Sequence, residues 1–353
     1  MTVEVLALSV AIGAFLLNLV LMPAIIRYAH KKKWYDGRNA RKVHTDDVPR
    51  LGGVGMFVAF FIAAIVGFAL MPDGGDGTIA RPLLSYLPVF VGILVMHTVG
   101  LFDDFKNLPA LKKLLIQILA GVIVTLGPHR ISSIVLPFNA TVVSFGWLSY
   151  PITIVWIISI ANAMNLIDGV DGLAGGVALI AAGFAVAIGL VTAQNPMLIG
   201  AAALVGAVLG FLVFNKPPAR IFMGDSGSLF LGTVLAVLPF LAPDEAASAL
   251  NIVPIVTLIL VPVFDTAAAI IRRVRDGRPV HEPDRKHLHH KLMDLGFSAW
   301  GILGVVYGAG VLLGIAAVLW YTPGNTVGAV AIILAWALAL AGFIVLDRVK
   351  HTE

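Results

Sequence analysis

Apolar residues occur in long runs along this chain, separated by short clusters of proline, glycine and charge. Many of these runs reach the roughly 20 residues that an α-helix needs to span a bilayer core. The pattern predicts an all-α integral membrane protein with about eleven transmembrane helices. Their expected bounds are residues 4–27, 52–71, 83–102, 112–127, 148–164, 172–192, 197–214, 227–242, 250–272, 300–321 and 326–346.

One segment between these runs has a different pattern. Residues 129–147 include ISSIVLPFNATVVSF, where apolar and polar positions alternate weakly. Alternation with a period of two is typical of strands. We therefore expect a short hairpin here, on the outer surface of the membrane.

The positions of lysine and arginine indicate the orientation, because basic residues accumulate on the cytoplasmic side. All but Arg81 and Arg130 of the 24 basic residues are assigned to one side if the N-terminus lies outside and the C-terminus inside. Glu4 precedes the first apolar run and basic residues follow it, so this run is expected to be a retained helix rather than a cleaved signal peptide. The chain is interpreted as one polytopic domain over residues 1–353. Its cytoplasmic loops are expected near 28–51, 103–113, 165–171, 215–226 and 272–299.

Composition narrows the function classes. Only 12% of the residues are charged and the mean hydropathy is +0.95, whereas soluble proteins carry about 25% charged residues. The net charge of +4 follows from the topology and does not indicate a nucleic-acid partner. There is no cysteine, which excludes disulfides, thiolate metal sites and cysteine nucleophiles.

Acidic residues collect at the predicted cytoplasmic ends of the helices, where unpaired carboxylates are costly. Six lie at or within helix ends: Asp103, Asp104, Asp168, Asp171, Asp225 and Asp265. The Asp103–Asp104 pair can also be interpreted without a function, as a solvated helix end. The stretch NLIDGVDGLAGG can likewise be interpreted as a glycine-rich site of helix–helix packing. Packing explains the glycines there but not the two acids three positions apart.

Two further motifs suit anionic ligands. In GDSGS, Asp225 or Ser226 is either a plain helix N-cap or part of a site for phosphate oxygens and Mg²⁺. In the basic loop after residue 272, His287, His289 and His290 form an HxHH spacing. Zinc is one interpretation, but among so many cations we favour anion binding by histidine and arginine.

Together these loops predict Mg²⁺-dependent chemistry on a diphosphate at the inner face of the membrane. An ion-coupled transporter is the alternative from another class, because acids and interrupted helices also mark carriers. Against transport, the acids lie at helix ends rather than at mid-membrane, and no inverted repeat is apparent.

In the order VHTDDVPRLGG, FDDF, NAMNLIDGVDGLAGG, NKPPARIFMGDSGS and PDRKHLHH, the chain resembles the polyprenyl-phosphate N-acetylhexosamine-1-phosphate transferases, glycosyltransferase family 4. The resemblance covers nearly the whole chain. The peptidoglycan branch carries three consecutive histidines, whereas Lys291 stands in the third place here. DRKHLHH and PRLGG, with Arg50, therefore look like the WecA/TagO branch.

The resemblance implies roles for single residues. Those near the reacting phosphates are a magnesium ligand, Asp225, with Asp104 as a second ligand, a general base, Asp103, and two catalytic histidines, His289 and His290. Those implied to bind substrate are Asp168, Asp171, Asn215, Phe222, Arg50, His287 and, by a looser alignment, Lys113. Asp265 matches an acidic position to which we assign no role.

The resemblance also implies a reaction, with Mg²⁺ as cofactor and Mn²⁺ as the alternative ion. N-acetylglucosamine-1-phosphate would pass from UDP-N-acetylglucosamine to undecaprenyl phosphate, releasing UMP, in the first membrane step of cell-envelope glycan assembly. Another UDP-N-acetylhexosamine or a phospho-N-acetylmuramoyl-pentapeptide donor is the alternative within the family. A covalent aspartyl-phosphate path is the alternative mechanism. The implied location is the inner (plasma) membrane, with a cytoplasmic active site and no nucleic-acid partner, and the family is compatible with a homodimer.

Overall fold

Long apolar helices dominate the computed structural model, which describes residues 1–35, 48–71, 80–135, 141–241, 249–250, 252–279, 286–321 and 326–348. In chain order the helices are α1 (Val3–Lys32), α2 (Gly52–Leu70), α3 (Ala80–Ser85), α4 (Leu87–Lys106), α5 (Ala110–Thr125), α6 (Ser149–Ile167), α7 (Leu173–Val191), α8 (Asn195–Asn215), α9 (Gly224–Val237), α10 (Ile252–Leu258), α11 (Leu260–Arg275), α12 (Leu288–Asp294), α13 (Ala299–Leu319) and α14 (Thr326–Arg348). Within the described ranges, eight helices are long and apolar enough to cross a bilayer. The prediction of an all-α membrane protein is confirmed, while the count of eleven spans and their orientation stay predictions.

The predicted span 250–272 is divided in two. α10 ends at Leu258 and α11 begins at Leu260, with Ile259 between them in a non-helical conformation (φ −113°, ψ 18°). Pro262 has no N–H to donate to the carbonyl of Leu258, so the helical ladder is interrupted at this point. α11 then continues past the predicted end to Arg275.

The predicted hairpin is present as two short strands, β1 (Ser133–Val135) and β2 (Val142–Ser144). They pair antiparallel with Ile134 opposite Val143, and residues 136–140 between them lie outside the described residues. A third strand, β3 (Ala249–Leu250), pairs parallel with β1 and was not predicted. Its partner β1 lies more than a hundred positions earlier in the sequence, so no local sequence pattern predicts the pairing.

The centre of the helical bundle is α8, whose small residues let neighbouring helices approach closely, as is typical of membrane proteins. α1 packs along it and contributes a fully buried Asn18, whose side-chain nitrogen donates to the carbonyl of Ala207 at 2.6 Å. α2 and α7 also pack against α8, while α9 packs mainly against α4 and α6. The C-terminal ends of α4, α6 and α8 and the start of α9 thereby come together.

The segment before α2 is fixed to the segment before α9 by backbone hydrogen bonds. The N–H of Phe222 donates to Pro49 at 2.8 Å, and the N–H groups of Gly52 and Gly53 donate to Phe222 and Met223 at 2.9 and 3.0 Å. This pairing places the PRLGG motif beside the GDSGS motif. Two stretches 170 residues apart therefore share one end of the bundle.

Candidate active site

Two predicted site carboxylates meet at one ammonium group. Lys113, near the start of α5, donates to Asp103 Oδ2 at 2.9 Å and also donates to Asp225 Oδ2. The other oxygen of Asp103 accepts the backbone N–H of Leu108 at 2.6 Å. All three charged side chains retain some exposure, from 15 to 24%. The last turn of α4, the first turn of α5 and the start of α9 therefore share one charged cluster.

Asp104 faces a different partner from its neighbour. Its two oxygens accept the backbone N–H groups of Asp225 at 2.7 Å and Ser226 at 3.0 Å. The first N–H groups of a helix have no partner within the helix, so a carboxylate there both satisfies them and interacts well with the helix dipole. Asp104 thus caps α9 from outside that helix, and its predicted role as a second metal ligand stays a prediction.

Asp168 lies directly after α6, at the same end of the bundle. Its pKa is raised to about 7, chiefly by burial and also by the negative charges of Asp225 and Asp104, against an opposing effect of Arg50. Because burial is the largest cause, the raised pKa reflects mainly the loss of water around the carboxyl group. When Asp168 is ionised, it adds a negative charge beside Asp225 and Asp104, which favours a nearby cation.

Asp171 and Asn215 hold loops together. Asp171 Oδ2 accepts the backbone N–H of Ala219 at 2.9 Å. Asn215 accepts the N–H of Gly172 at 2.9 Å and donates to the carbonyl of Ile221 at 2.8 Å. These bonds connect the DGVDG loop, residues 168–172, to the loop between α8 and α9. Phe222 belongs to that same loop, and the predicted contacts of these residues with a nucleotide stay predictions.

Asp265, to which the sequence assigned no role, holds the histidine segment. Its Oδ2 lies 2.8 Å from His287 Nδ1, and its Oδ1 accepts the N–H of Leu288 at 2.7 Å. Both side chains of the pair are almost fully buried, with 3 and 6% exposure. Because Leu288 is the first residue of α12, one carboxylate caps this helix and orients the histidine that precedes it.

His289 contacts the DGVDG loop. It is 3% exposed, and its ring lies so close to Gly169 that any side chain at that position would overlap it. Burial lowers the pKa of His289 to about 4, helped by the positive charge of His290. Its Nδ1 has no hydrogen-bond partner among the described residues. The buried, neutral ring of His289 therefore contacts Gly169, the residue that follows Asp168 in the sequence. The ring can approach the backbone this closely because glycine has no side chain.

The carboxylates offer donor atoms of the kind that Mg²⁺ takes, and Mg²⁺ as the cofactor stays a prediction. Among the described residues, no group of three or more histidine or acidic side chains converges as a complete metal cage. Mg²⁺ typically takes only one or two carboxylates and fills its remaining positions with water and substrate phosphates. Asp225 and Asp103 already converge on one positive charge, that of Lys113. Their hard oxygen atoms are the donors that Mg²⁺ prefers.

The region of the chain that contains these carboxylates also matches a known protein family. The profile described as Glycosyl transferase family 4 matches residues 86–242, which run from the start of α4 past the end of α9. This range contains Asp103, Asp168 and Asp225.

Similar proteins extend over most of the chain. A probable undecaprenyl-phosphate N-acetylglucosaminyl 1-phosphate transferase of Bacillus subtilis is 33% identical, covering 87% of this chain and 83% of the relative. A decaprenyl-phosphate N-acetylglucosaminephosphotransferase of Mycolicibacterium smegmatis is 35% identical, covering 85% and 79%. A phospho-N-acetylmuramoyl-pentapeptide-transferase of Halalkalibacterium halodurans is 29% identical, covering 88% and 96%.

Proposed function

The chain belongs to glycosyl transferase family 4, and from this membership we propose that it transfers N-acetylglucosamine-1-phosphate from UDP-N-acetylglucosamine to undecaprenyl phosphate, releasing UMP. The observation that carries the proposal is the cluster of Asp103, Lys113 and Asp225, where two carboxylates from different helices share one cation. Such a cluster offers oxygen ligands for a metal and a cation for a phosphate at one place.

The proposed enzyme is a Mg²⁺-dependent phosphoglycosyl transferase of the inner (plasma) membrane. The eleven-span topology puts the N-terminus outside, and the cluster then faces the cytoplasm together with nearly all basic residues. The lipid substrate is reached from the bilayer and the nucleotide sugar from the cytoplasm. A homodimer, as the family resemblance implies, stays part of the proposal.

The proposed reaction is a single displacement. An oxygen of the lipid phosphate forms a bond to the β-phosphorus, the bond from that phosphorus to the bridging oxygen breaks, and its electron pair leaves with UMP. Bound Mg²⁺ (or Mn²⁺) would supply charge neutralisation at the diphosphate. Asp225 holds that ion in this scheme, with Asp104 the candidate second ligand.

The chain's own residues bind and orient the reactants. Lys113 provides positive charge beside the reacting phosphates, and Asp103 fixes that ammonium group. A phosphate monoester has a second pKa of about 6, so the attacking group is mostly a dianion at neutral pH. Asp103 therefore orients the attack more than it removes a proton. His289 lies beside the loop that carries Asp168, and the ring of His290 contacts that of His289. The two histidines complete the proposed diphosphate site.

The relatives support the choice of donor. The two that share 33 and 35% identity with this chain are named for N-acetylglucosamine, while the pentapeptide transferase shares 29%. Lys291, which replaces the third consecutive histidine of the peptidoglycan branch, points the same way. The three relatives described here are all transferases, which disfavours transport as the function.

The decisive assay follows radiolabelled UDP-N-acetylglucosamine with undecaprenyl phosphate in detergent or nanodiscs. We expect UMP and a labelled lipid in equal amounts, dependence on added Mg²⁺ or Mn²⁺, and loss of both products in Asp225→Asn. UDP-N-acetylgalactosamine and UDP-N-acetylmuramoyl-pentapeptide serve as competing donors. If no UDP-sugar supports turnover by the folded protein, the proposed function is wrong.

A further inference from the structure

One face of α4 contacts the start of α9 at three successive levels. His97, Gly100 and Asp104 are spaced three and four positions apart, so they lie above one another on the same side of the helix. Asp104 accepts the N–H groups of Asp225 and Ser226. Gly100 lies so close to the backbone of Asp225 that a Cβ there would overlap its carbonyl group.

His97 makes the third contact, from inside the bundle. It is 5% exposed, and its Nδ1 lies 3.1 Å from the carbonyl oxygen of Ser226. A carbonyl oxygen only accepts, so Nδ1 carries the proton and donates. The carbonyl has two lone pairs and accepts this bond in addition to its bond within the helix.

The plane of the His97 ring is fixed by stacking. Its ring lies parallel to that of Phe57 on α2, with centroids 4.1 Å apart and an interplanar angle of 6°. The edge of the same ring meets Phe230 on α9 at 6.4 Å and 86°. Three helices therefore determine where the N–H of His97 points.

We propose that His97 is a positioning residue that fixes the first turn of α9 and thereby holds the Asp225 carboxylate where it binds the metal ion. Ser226 directly follows Asp225, so a bond to the Ser226 carbonyl restrains the backbone from which the Asp225 side chain extends. The capping bonds of Asp104 restrain the same turn from the cytoplasmic end. His97 restrains it from the membrane side, and neither contact alone fixes both ends of the turn.

The role of His97 rests on the proposed function in one respect, the binding of a divalent ion by Asp225. The test therefore measures that step directly. Mn²⁺ binding to the purified protein, without substrates, is followed by loss of the free-ion signal in electron paramagnetic resonance. The part of the binding lost in Asp225→Asn defines the site.

Three variants separate hydrogen bonding from packing. His97→Phe keeps the aromatic stack and removes the donor, whereas His97→Asn removes the stack and places an amide N–H near the position of Nδ1. A neutral hydrogen bond contributes modestly, so we expect about three- to tenfold weaker Mn²⁺ binding in His97→Phe and near-normal binding in His97→Asn. His97→Gln, whose N–H lies one carbon further out, should resemble His97→Phe.

The outcomes are distinct. If His97→Phe binds Mn²⁺ as tightly as wild type, or more tightly than His97→Asn, the positioning role is overturned. If His97→Phe fails to fold, as judged by size exclusion and thermal unfolding, the comparison of Asn with Gln decides the matter: equal affinities overturn the proposal. Because no sugar nucleotide enters this measurement, its result stands apart from the UMP-release assay that tests the proposed function.

Discussion

Lys113 on α5 and Asp225 on α9 lie 112 positions apart in sequence and share a hydrogen bond at the end of the bundle where α4 ends and α9 begins. The same ammonium group bonds Asp103. Lys113 is therefore a cation that balances these two carboxylates. A divalent ion that binds Asp225 must compete with it or share the carboxylates with it.

This competition predicts opposite effects on metal binding and on turnover. In Lys113→Met, Mn²⁺ should bind the substrate-free protein more tightly, because the carboxylates lose their own cation. Turnover should fall about a hundredfold, because a positive charge beside the reacting phosphates is lost. Electron paramagnetic resonance and UMP release measure the two effects. Lys112→Met is the matched control, since Lys112 is exposed, and weaker Mn²⁺ binding in Lys113→Met would contradict the competition.

Asp103→Asn distinguishes orientation from base catalysis. The amide keeps one acceptor oxygen, which can accept from Lys113 while the bond to the Leu108 N–H is lost. An orienting role therefore predicts a rate loss of only about tenfold at neutral pH. Loss of a general base costs about 10² to 10⁴ in rate. Single-turnover measurements with bound lipid phosphate give the comparison. Complete inactivity with intact binding of both substrates would instead indicate an essential base or a covalent aspartyl-phosphate.

The pKa of Asp168, raised to about 7, predicts a pH-dependent metal affinity. Below that pH the carboxyl group is protonated and neutral, and above it the cluster gains one negative charge. The affinity for Mn²⁺ should therefore rise as the pH increases through about 7. In Asp168→Asn this rise should disappear while binding at low pH changes little. Titrations of both proteins across this range test the assignment, and an unchanged pH profile in the variant would assign the rise to another group.

Sequence reasoning predicted which residues gather at this end of the bundle, because topology alone puts the helix ends on one side. It did not predict which of these residues form hydrogen bonds with one another. Asp103 and Asp104 are adjacent, yet one bonds Lys113 and the other caps α9, since neighbouring helical positions point about 100° apart. The partner of Asp104 lies 121 positions away, and only the packing of α4 against α9 brings it close.

Other differences have a local or a tertiary origin. Pro262 indicates the break between α10 and α11, but the continuous apolar run 250–272 was interpreted as a single span. The role of Asp265 was not visible, because its partner His287 belongs to a separate segment and only their shared burial unites them. In the sequence, nothing distinguishes His97 from any other polar residue in an apolar helix. Its stacking on Phe57 and its hydrogen bond to Ser226 arise only from the packing of α4 against α2 and α9.

Asp265 should control activity through α12 rather than by touching substrate. Asp265→Ala removes the bonds to His287 and Leu288 and leaves buried donors unsatisfied, at a cost of about 1–3 kcal/mol. We expect a lower thermal stability and a lower kcat. His287→Ala should produce much of the same loss, and the double variant should lose less than the sum of the two. Asp276→Ala, at an exposed position paired only with Arg275 among the ion pairs described, is the control. Additive losses would contradict the coupling.

Gly169→Ala tests the contact between the DGVDG loop and the histidine segment. The added methyl group would overlap the ring of His289, and relieving such an overlap in a packed site typically costs about 1–3 kcal/mol. The ring must move, so we expect UMP release to fall at least tenfold, the fold-change of about 1.4 kcal/mol, while Mn²⁺ binding at Asp225 is little affected. Gly183→Ala is the matched control: it makes the same change in α7, where a Cβ meets nothing within 4 Å. Normal UMP release by Gly169→Ala would show that His289 does not need its place beside this glycine for turnover.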